Sequence, residues 1–392
     1  MAGKTKNIRG DGGAEQERKQ PGGFRRFFTF FLILAIVLGV VLAAAYRDGT
    51  GFDALRRYLN YGSAGVSGEE RYRYDASANN RFAVLGNQLV VLSDTSLRLL
   101  NRDGGENWST LVNMSHPALA WGGGRVAAYD IGGRSLYVLD ESGGVFNMTV
   151  EEDAAIIAAT LNSRGMLAVT AESRECKGSV SVYSEAMELL FEFKSRRRFV
   201  IDACVTGDGE RMAAVTLGQE DGVFISNVVL YDLKEDTPAA DYDVVGGLVL
   251  SIREQSGKLV TVSDTCLTYA SRAGAVEASY SYGGAYLRGY DLGDGFAALL
   301  LNRYQAGNVG RLVSVDEKGE ELGSLDIHEE VRNLSAAGKY LAVLYTDRLV
   351  VYNQELQVYA SLRGVNGLSS ALMRPDGSVV LLSPESASQF LP

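Results

Sequence analysis

The sequence predicts an all-β protein, an eight-bladed propeller. Three observations carry that prediction: a turn-and-strand pattern that recurs eight times, a longer internal match, and a leading strand able to complete a shortened last repeat. In the pattern a Gly closes a tight turn, and a run of small and branched apolar residues comes next. Its copies begin at Gly86, Gly124, Gly165, Gly209, Gly257, Gly295, Gly338 and Gly377, which lie 38 to 48 residues apart. A spacing of about 40 that recurs down a chain marks a propeller or solenoid.

Composition sets the outer limits. With 392 residues and a 46% apolar fraction, the bulk of the chain is an ordinary globular protein. Its 45 Gly against only 6 Pro point to turns rather than low complexity. A net charge of −10 argues against nucleic acid as a partner, because a phosphate backbone would be repelled. The three cysteines, Cys176, Cys204 and Cys266, are too few for a disulfide framework, and the last two sit in strand-like runs as small core residues.

From the amino terminus, residues 1–26 form a polar tail with a charge of about +4, expected to be disordered and cytoplasmic. Residues 27–45, from Phe27 to Ala45, run without a charge. As a helix this stretch is about 28 Å long, close to the hydrocarbon thickness of a bilayer. We read residues 27–46 as a single uncleaved transmembrane helix, in preference to a cleaved signal peptide ending at Ala43-Ala44-Ala45. Arg25 and Arg26 abut the span, which keeps the amino terminus inside and sends the chain beyond Tyr46 outside. Residues 47–68 read as a juxtamembrane helix, with Phe52, Leu55, Tyr58 and Leu59 at helical spacing, and a Gly/Ser linker. The localisation expected is the cell membrane, with an extracytoplasmic propeller over residues 69–392.

Within a repeat the apolar runs are strand-sized and separated by Asp-Gly, Ser-Gly and Gly-Asn turns, which are hairpin signals. In the fourth repeat the strands are expected at 201–205, 211–217, 227–232 and 239–245. Third strands end in a polar residue: Asn101, Asp140, Ser184, Asp232, Asp316 and Asn353. Second strands are apolar nearly throughout, as expected when both faces of a sheet are covered. Ser93-Asp94-Thr95 recurs as Ser263-Asp264-Thr265, four repeats on. The eighth repeat is one strand short, and residues 70–75, with Tyr72 and Tyr74 alternating with charges, can supply it and close the ring. One irregular repeat would make the count seven instead.

This organisation resembles bacterial propellers with WD40-like and quinoprotein-like repeats. It is similar in particular to an uncharacterised family of single-pass, membrane-anchored propellers from Gram-positive bacteria, a domain of unknown function. The resemblance rests on the span, Tyr74-Asp75-Ala76-Ser77, Phe82-Ala83-Val84-Leu85-Gly86, Val91-Leu92-Ser93-Asp94-Thr95, Asn101-Arg102-Asp103-Gly104-Gly105 with Trp108, and Tyr129-Asp130-Ile131-Gly132-Gly133. These are structural turns, so the resemblance implies a fold and no activity.

Alternation of strand direction places the first-to-second and third-to-fourth turns on one face, and the second-to-third and inter-blade connections on the other. The closing strand begins on the former, so the latter should point outward. It carries the longer insertions, 172–178, 219–226 and 303–310, and long loops on a rigid scaffold are where binding resides. On the same face lie Lys194, Arg196, Arg197 and Arg198, a basic cluster able to grip an anionic envelope polymer or a partner's acidic patch. The alternative is that this cluster pairs with neighbouring acids. His116 and His328 are the only histidines, at junctions three apart in the ring, too far to share a metal. No catalytic, cofactor or metal constellation is recognisable; quinoprotein Cys-Cys pairs and sialidase Asp boxes are absent from the sequence. The expected function is a non-enzymatic binding or scaffold module for a protein or envelope glycan. The alternative is a polysaccharide hydrolase or lyase using loop carboxylates.

Overall fold

The computed structural model describes residues 28–39 and 67–392 apart from 221 and 245, together with the single positions 3, 53 and 57. The chain forms two compact units, Met1–Asn60 and Tyr61–Pro392. In the first, residues 28–39 are helical and their side chains exposed. Among the described residues no helix is long and apolar enough to cross a membrane. The rest of the predicted span, the tail apart from Gly3 and the Gly/Ser stretch before Ser67 lie outside the described residues. So does the apolar face of the juxtamembrane helix, of which only Asp53 and Arg57 are described, both helical.

The second unit is a ring of eight four-stranded antiparallel sheets. Blade one comprises β2 (Arg81–Leu85), β3 (Gln88–Leu92), β4 (Ser96–Leu100) and β5 (Glu106–Leu111). Blades two to seven repeat that order, and their innermost strands are β6 (Pro117–Gly122), β10 (Ala154–Leu161), β14 (Phe199–Val205), β18 (Val249–Gln255), β22 (Tyr286–Gly293) and β26 (Val331–Ala337). Blade eight is built from β30 (Ser370–Met373), β31 (Val379–Leu382), β32 (Ser386–Phe390) and, as its outer strand, β1 (Ser67–Arg73). The count is eight, as the repeats predict.

Second strands are buried nearly throughout: end to end in β31 and in the second strand of blade six, Phe296–Asn302, and in β3 at every residue but Gln88. Their alternation is hidden because both faces meet a neighbour. Leu89 and Val91 pack toward blade eight, while Val90 and Leu92 pack toward blade two. The same division around the ring gives one apolar cluster per blade interface. The polar residues ending the third strands cap the adjoining turns. Asn101 Oδ1 accepts from the Asp103 and Gly105 amides at 2.9 and 3.0 Å, and Asp316 Oδ1 from the Lys318 and Glu320 amides at 2.9 and 2.8 Å. Ser93 and Ser263 make equivalent turns, each accepting from the two amides two and three residues on. Ser383 adds a third such turn, accepting from the Ser386 amide three residues on.

Ring closure takes the predicted route. Strand β1 pairs antiparallel with β32, Tyr72 opposite Ala387 and Arg73 opposite Ser386. Tyr72 is fully buried and joins Tyr74, Leu89, Val91, Val380 and Leu382 in the cluster between blades eight and one. The Tyr74 hydroxyl donates to the carbonyls of Ser383 and Ser386, at 2.8 and 2.6 Å, and burial raises its pKa. Outside this strand, the turn of blade one presses on it. Gly104 has φ +83°, and a β-carbon there would fall 1.8 Å from the Arg71 carbonyl oxygen. Gly104→Ala is therefore expected to cost at least about 1–2 kcal/mol from the backbone conformation alone, with the clash added. A thermal melt of the variant checks this, and an unchanged midpoint would mean that the turn does not bear on the closing strand.

One expectation needs correcting. The insertion at 219–226 is not a loop. The second and third strands of blade four, Arg211–Glu220 and Val223–Asp232, run on as a paired hairpin, with Leu217 opposite Ser226 and Gln219 opposite Phe224. The signal was the Asp-Gly dipeptide at 221–222, a two-residue hairpin sequence followed by Val223-Phe224; Gly222 has φ +83°.

Candidate functional site

Two surfaces merit attention, the face bearing the second-to-third and inter-blade connections, and the central channel. On the first, the basic cluster is dispersed. Lys194 ends an outer strand (Leu189–Ser195) and pairs with Glu192 of the same strand at 3.1 Å, which raises its pKa. Arg196 and Arg197 are exposed in the turn. Arg198 is half-buried: its amide and carbonyl are bound by the Ser195 hydroxyl, and its side chain lies over Gly218 of the long hairpin. His116 and His328 are both exposed, in separate inter-blade turns. Among the described residues no three His, Cys, Asp or Glu side chains converge as a metal site would require. Cys204 and Cys266 are buried in strands, and burial raises the Cys204 thiol pKa.

What the same face does present is apolar. Phe199, Val223, Phe224, Leu248, Leu250, Tyr286 and Tyr304 are all exposed there, on blades four to six. Part of the cause is a device that recurs in five consecutive blades. Inner strands β10, β14, β18, β22 and β26 each carry one extra residue near their start: Ile157, Ile201, Leu250, Arg288 and Arg332. Such a bulge leaves its residue unpaired and re-aims the side chain. Leu250, Arg288 and Arg332 are exposed, so the channel mouth is apolar on one arc and cationic on the next. Arg288 also borders a pocket of about 50 Å³ with Glu329 and Glu330. That space holds a water or two rather than a sugar ring, and Glu329 is held through both oxygens by Arg348.

Down the channel, the inner strands expose the sheet edge that has no partner strand, and side chains of neighbouring blades satisfy part of it. Thr160 Oγ1 donates to the Ala203 carbonyl at 2.6 Å. Asp202 accepts the Ala203 amide at 2.9 Å and, across the blade boundary, the Ile252 amide at 3.0 Å. Asp291 accepts the Leu292 amide at 2.9 Å and the Ala336 amide of the next blade at 2.7 Å. Asn333 and Ser335 receive the Ala371 and Met373 amides of blade eight. Tyr290 donates to Ser251 at 2.8 Å. Together these bonds tie blades three to eight edge to edge. Burial raises the Asp202 pKa to about 6, against the two amides and the charge of Arg253, which act to lower it. Asp291 is raised for the same reason. The repeat reading missed both carboxylates, although a single Asp inside Phe199–Val205 (FVIDACV) is the kind of isolated polar residue that demands a buried partner.

Solved structures similar to this one share its architecture. The C-terminal WD40 domain of Sif2 superposes with a TM-score of 0.58 at 14% identity, covering 83% of this chain and 98% of its own. The computationally designed Ika8 protein gives 0.56 at 13%, over 83% and 100%. BamB from Moraxella catarrhalis gives 0.51 at 12%, over 82% and 96%. Likeness at these identities concerns the fold alone. No curated protein sequence matches the chain. A family model matches residues 59–360, nearly the whole ring, and the chain accordingly belongs to the family of unknown function DUF5711.

Proposed function

We propose that the protein is a membrane-anchored, extracytoplasmic binding module that holds a partner protein on the face bearing its second-to-third and inter-blade connections, without chemistry of its own. The observation that carries the reading is the exposed apolar set on blades four to six, centred on Phe224 and Tyr304. Surface aromatics clustered on one face mark interaction sites, and Arg288 and Arg332 beside them suit a partner with acidic residues at its rim. The propeller fold is a rigid platform for such loops. Support for the anchor comes from the uncharged stretch 27–45 behind Arg25 and Arg26. The chain enters the ring at Ser67, on the face of the third-to-fourth turns.

A photo-crosslinking residue placed at Phe224 in intact cells should capture a discrete protein adduct. The same residue at Val276, exposed on the opposite rim, should not. Phe224→Asp should weaken recovery of that partner about ten- to hundred-fold, equivalent to about 1.5–3 kcal/mol for one buried aromatic. Equal adducts at both positions, or none at Phe224, would exclude this face as the docking surface.

A further inference from the structure

The opposite end of the channel holds a different kind of site. Arg253 lies on β18 of blade five, with its guanidinium carbon 5.6 Å from the centre of the Trp121 ring on β6 of blade two. Blades two and five are not neighbours, so this contact spans the channel near the first-to-second turns. Beneath it is a cavity of about 210 Å³ lined by Trp121, Thr160, Ser163, Cys204, Arg253 and Glu254.

The charges around this cavity are unevenly satisfied. Glu254 is turned away to Arg272, at 2.6 Å, and Arg272 also meets Asp208 at 3.1 Å. Asp202 and Asp291 act on Arg253 only through space, because each spends its oxygens on two backbone amides. The exposed side chain of Arg253 makes no hydrogen bond or ion pair with any described residue; it meets only the indole face. The Trp121 indole N–H and the Ser163 hydroxyl also donate to no described residue. Three solvent-facing donors that bond no described residue therefore border one cavity, with a flat apolar surface as one wall. A planar guanidinium recognises a carboxylate through two parallel hydrogen bonds, and an indole face accommodates a flat body beside it.

We infer that this cavity is a binding site for a small carboxylate with a flat apolar body, the carboxylate on Arg253 and the body against Trp121. The site lies on the face opposite the proposed protein-docking surface and does not depend on that reading. At about 210 Å³ the cavity is smaller than the roughly 300–1,000 Å³ usual for ligand pockets, and it suits a small ligand of about ten non-hydrogen atoms.

Benzoate is the probe, titrated into the purified full chain and monitored both by calorimetry and by tryptophan emission, to which only Trp108 and Trp121 contribute. Benzoate should bind saturably and perturb the emission, whereas neutral benzamide should bind at least ten-fold more weakly. Inorganic phosphate should compete poorly, since it offers charge without a flat body. Arg253→Gln should weaken benzoate at least ten-fold. Arg253→Lys, which keeps the charge but not the fork, should fall between, and a melting midpoint equal to wild type would show that the fold is intact. Trp121→Phe should abolish the emission change and leave a weaker calorimetric signal. Flat benzoate titrations by both methods, equal affinity for benzamide, or unchanged binding in Arg253→Gln at an unchanged midpoint would each overturn the assignment.

Discussion

Tyr72→Ala should open the ring. Tyr72 is fully buried at the one interface whose two sides come from opposite ends of the propeller sequence. Replacing a large buried aromatic by Ala costs about 3–5 kcal/mol, a large fraction of the roughly 5–15 kcal/mol that holds a typical domain folded. Deleting residues 67–75 should do more, because it also bares the edge of β32 and removes the Tyr74 hydroxyl bonds to Ser383 and Ser386. Tyr74→Phe removes those bonds alone and should cost about 1–2 kcal/mol. Denaturant unfolding of the full chain reads all three. Hydrogen exchange should show protection lost first in β32 and β3, the two strands that flank the closure. If Tyr72→Ala were within about 1 kcal/mol of wild type, well short of the usual cost of such a truncation, the ring would be held shut by something other than its leading strand.

Asp202 should make the propeller less stable as pH rises from 4 to 7. Its folded pKa of about 6 lies above the ordinary aspartate value of 3.8, so the folded state favours the protonated form. The corresponding stability is fully present below the unfolded pKa and is lost as pH climbs through the folded one. The difference amounts to about 3 kcal/mol, at about 1.36 kcal/mol for each pH unit between the two values. Asp291 is shifted the same way and adds to the slope. Asp202→Asn, which cannot ionise, should flatten the profile by that amount between pH 4 and 7. Asp202→Ala leaves the Ala203 and Ile252 amides without an acceptor, and a buried unsatisfied group costs about 1–3 kcal/mol. Its penalty should therefore be greatest near pH 4 and shrink toward neutrality, where the wild type already bears the cost of a buried charge. Chemical denaturation at fixed temperature across this range tests both variants. A wild-type profile that rises from pH 4 to 7 in parallel with that of Asp202→Asn would refute the assignment.

The architecture was legible because a propeller is written locally. In blades one to seven the pairings join residues within about 40 positions of one another, and the capping residues Asn101, Asp316 and their equivalents sit at the same step of those repeats. The closing strand was legible for a related reason: the last repeat lacked one strand, and Tyr72 and Tyr74 had the alternation to supply it. The channel was not legible. Trp121 and Arg253 meet across the ring, and nothing in either repeat marks a partner three blades away. The five inner-strand bulges were equally hidden, because an added residue shifts register without altering the apolar pattern around it. The basic run at 194–198 was conspicuous in the sequence, yet its members part company: Lys194 to a glutamate, Arg198 to the long hairpin, Arg196 and Arg197 to solvent.

The pairing of β1 with β32 also sets a schedule for biosynthesis. Tyr72 leaves the ribosome some 315 residues before its opposite, Ala387, an interval of about 15–60 s at the usual rates of elongation. Throughout it the nascent chain holds seven growing blades and one strand with nowhere to dock. Two chains emerging side by side could exchange these strands, each completing the other, with the same hydrogen bonds as the monomer. Crowded translation of this protein should therefore yield interlocked dimers that dilution does not separate and unfolding does.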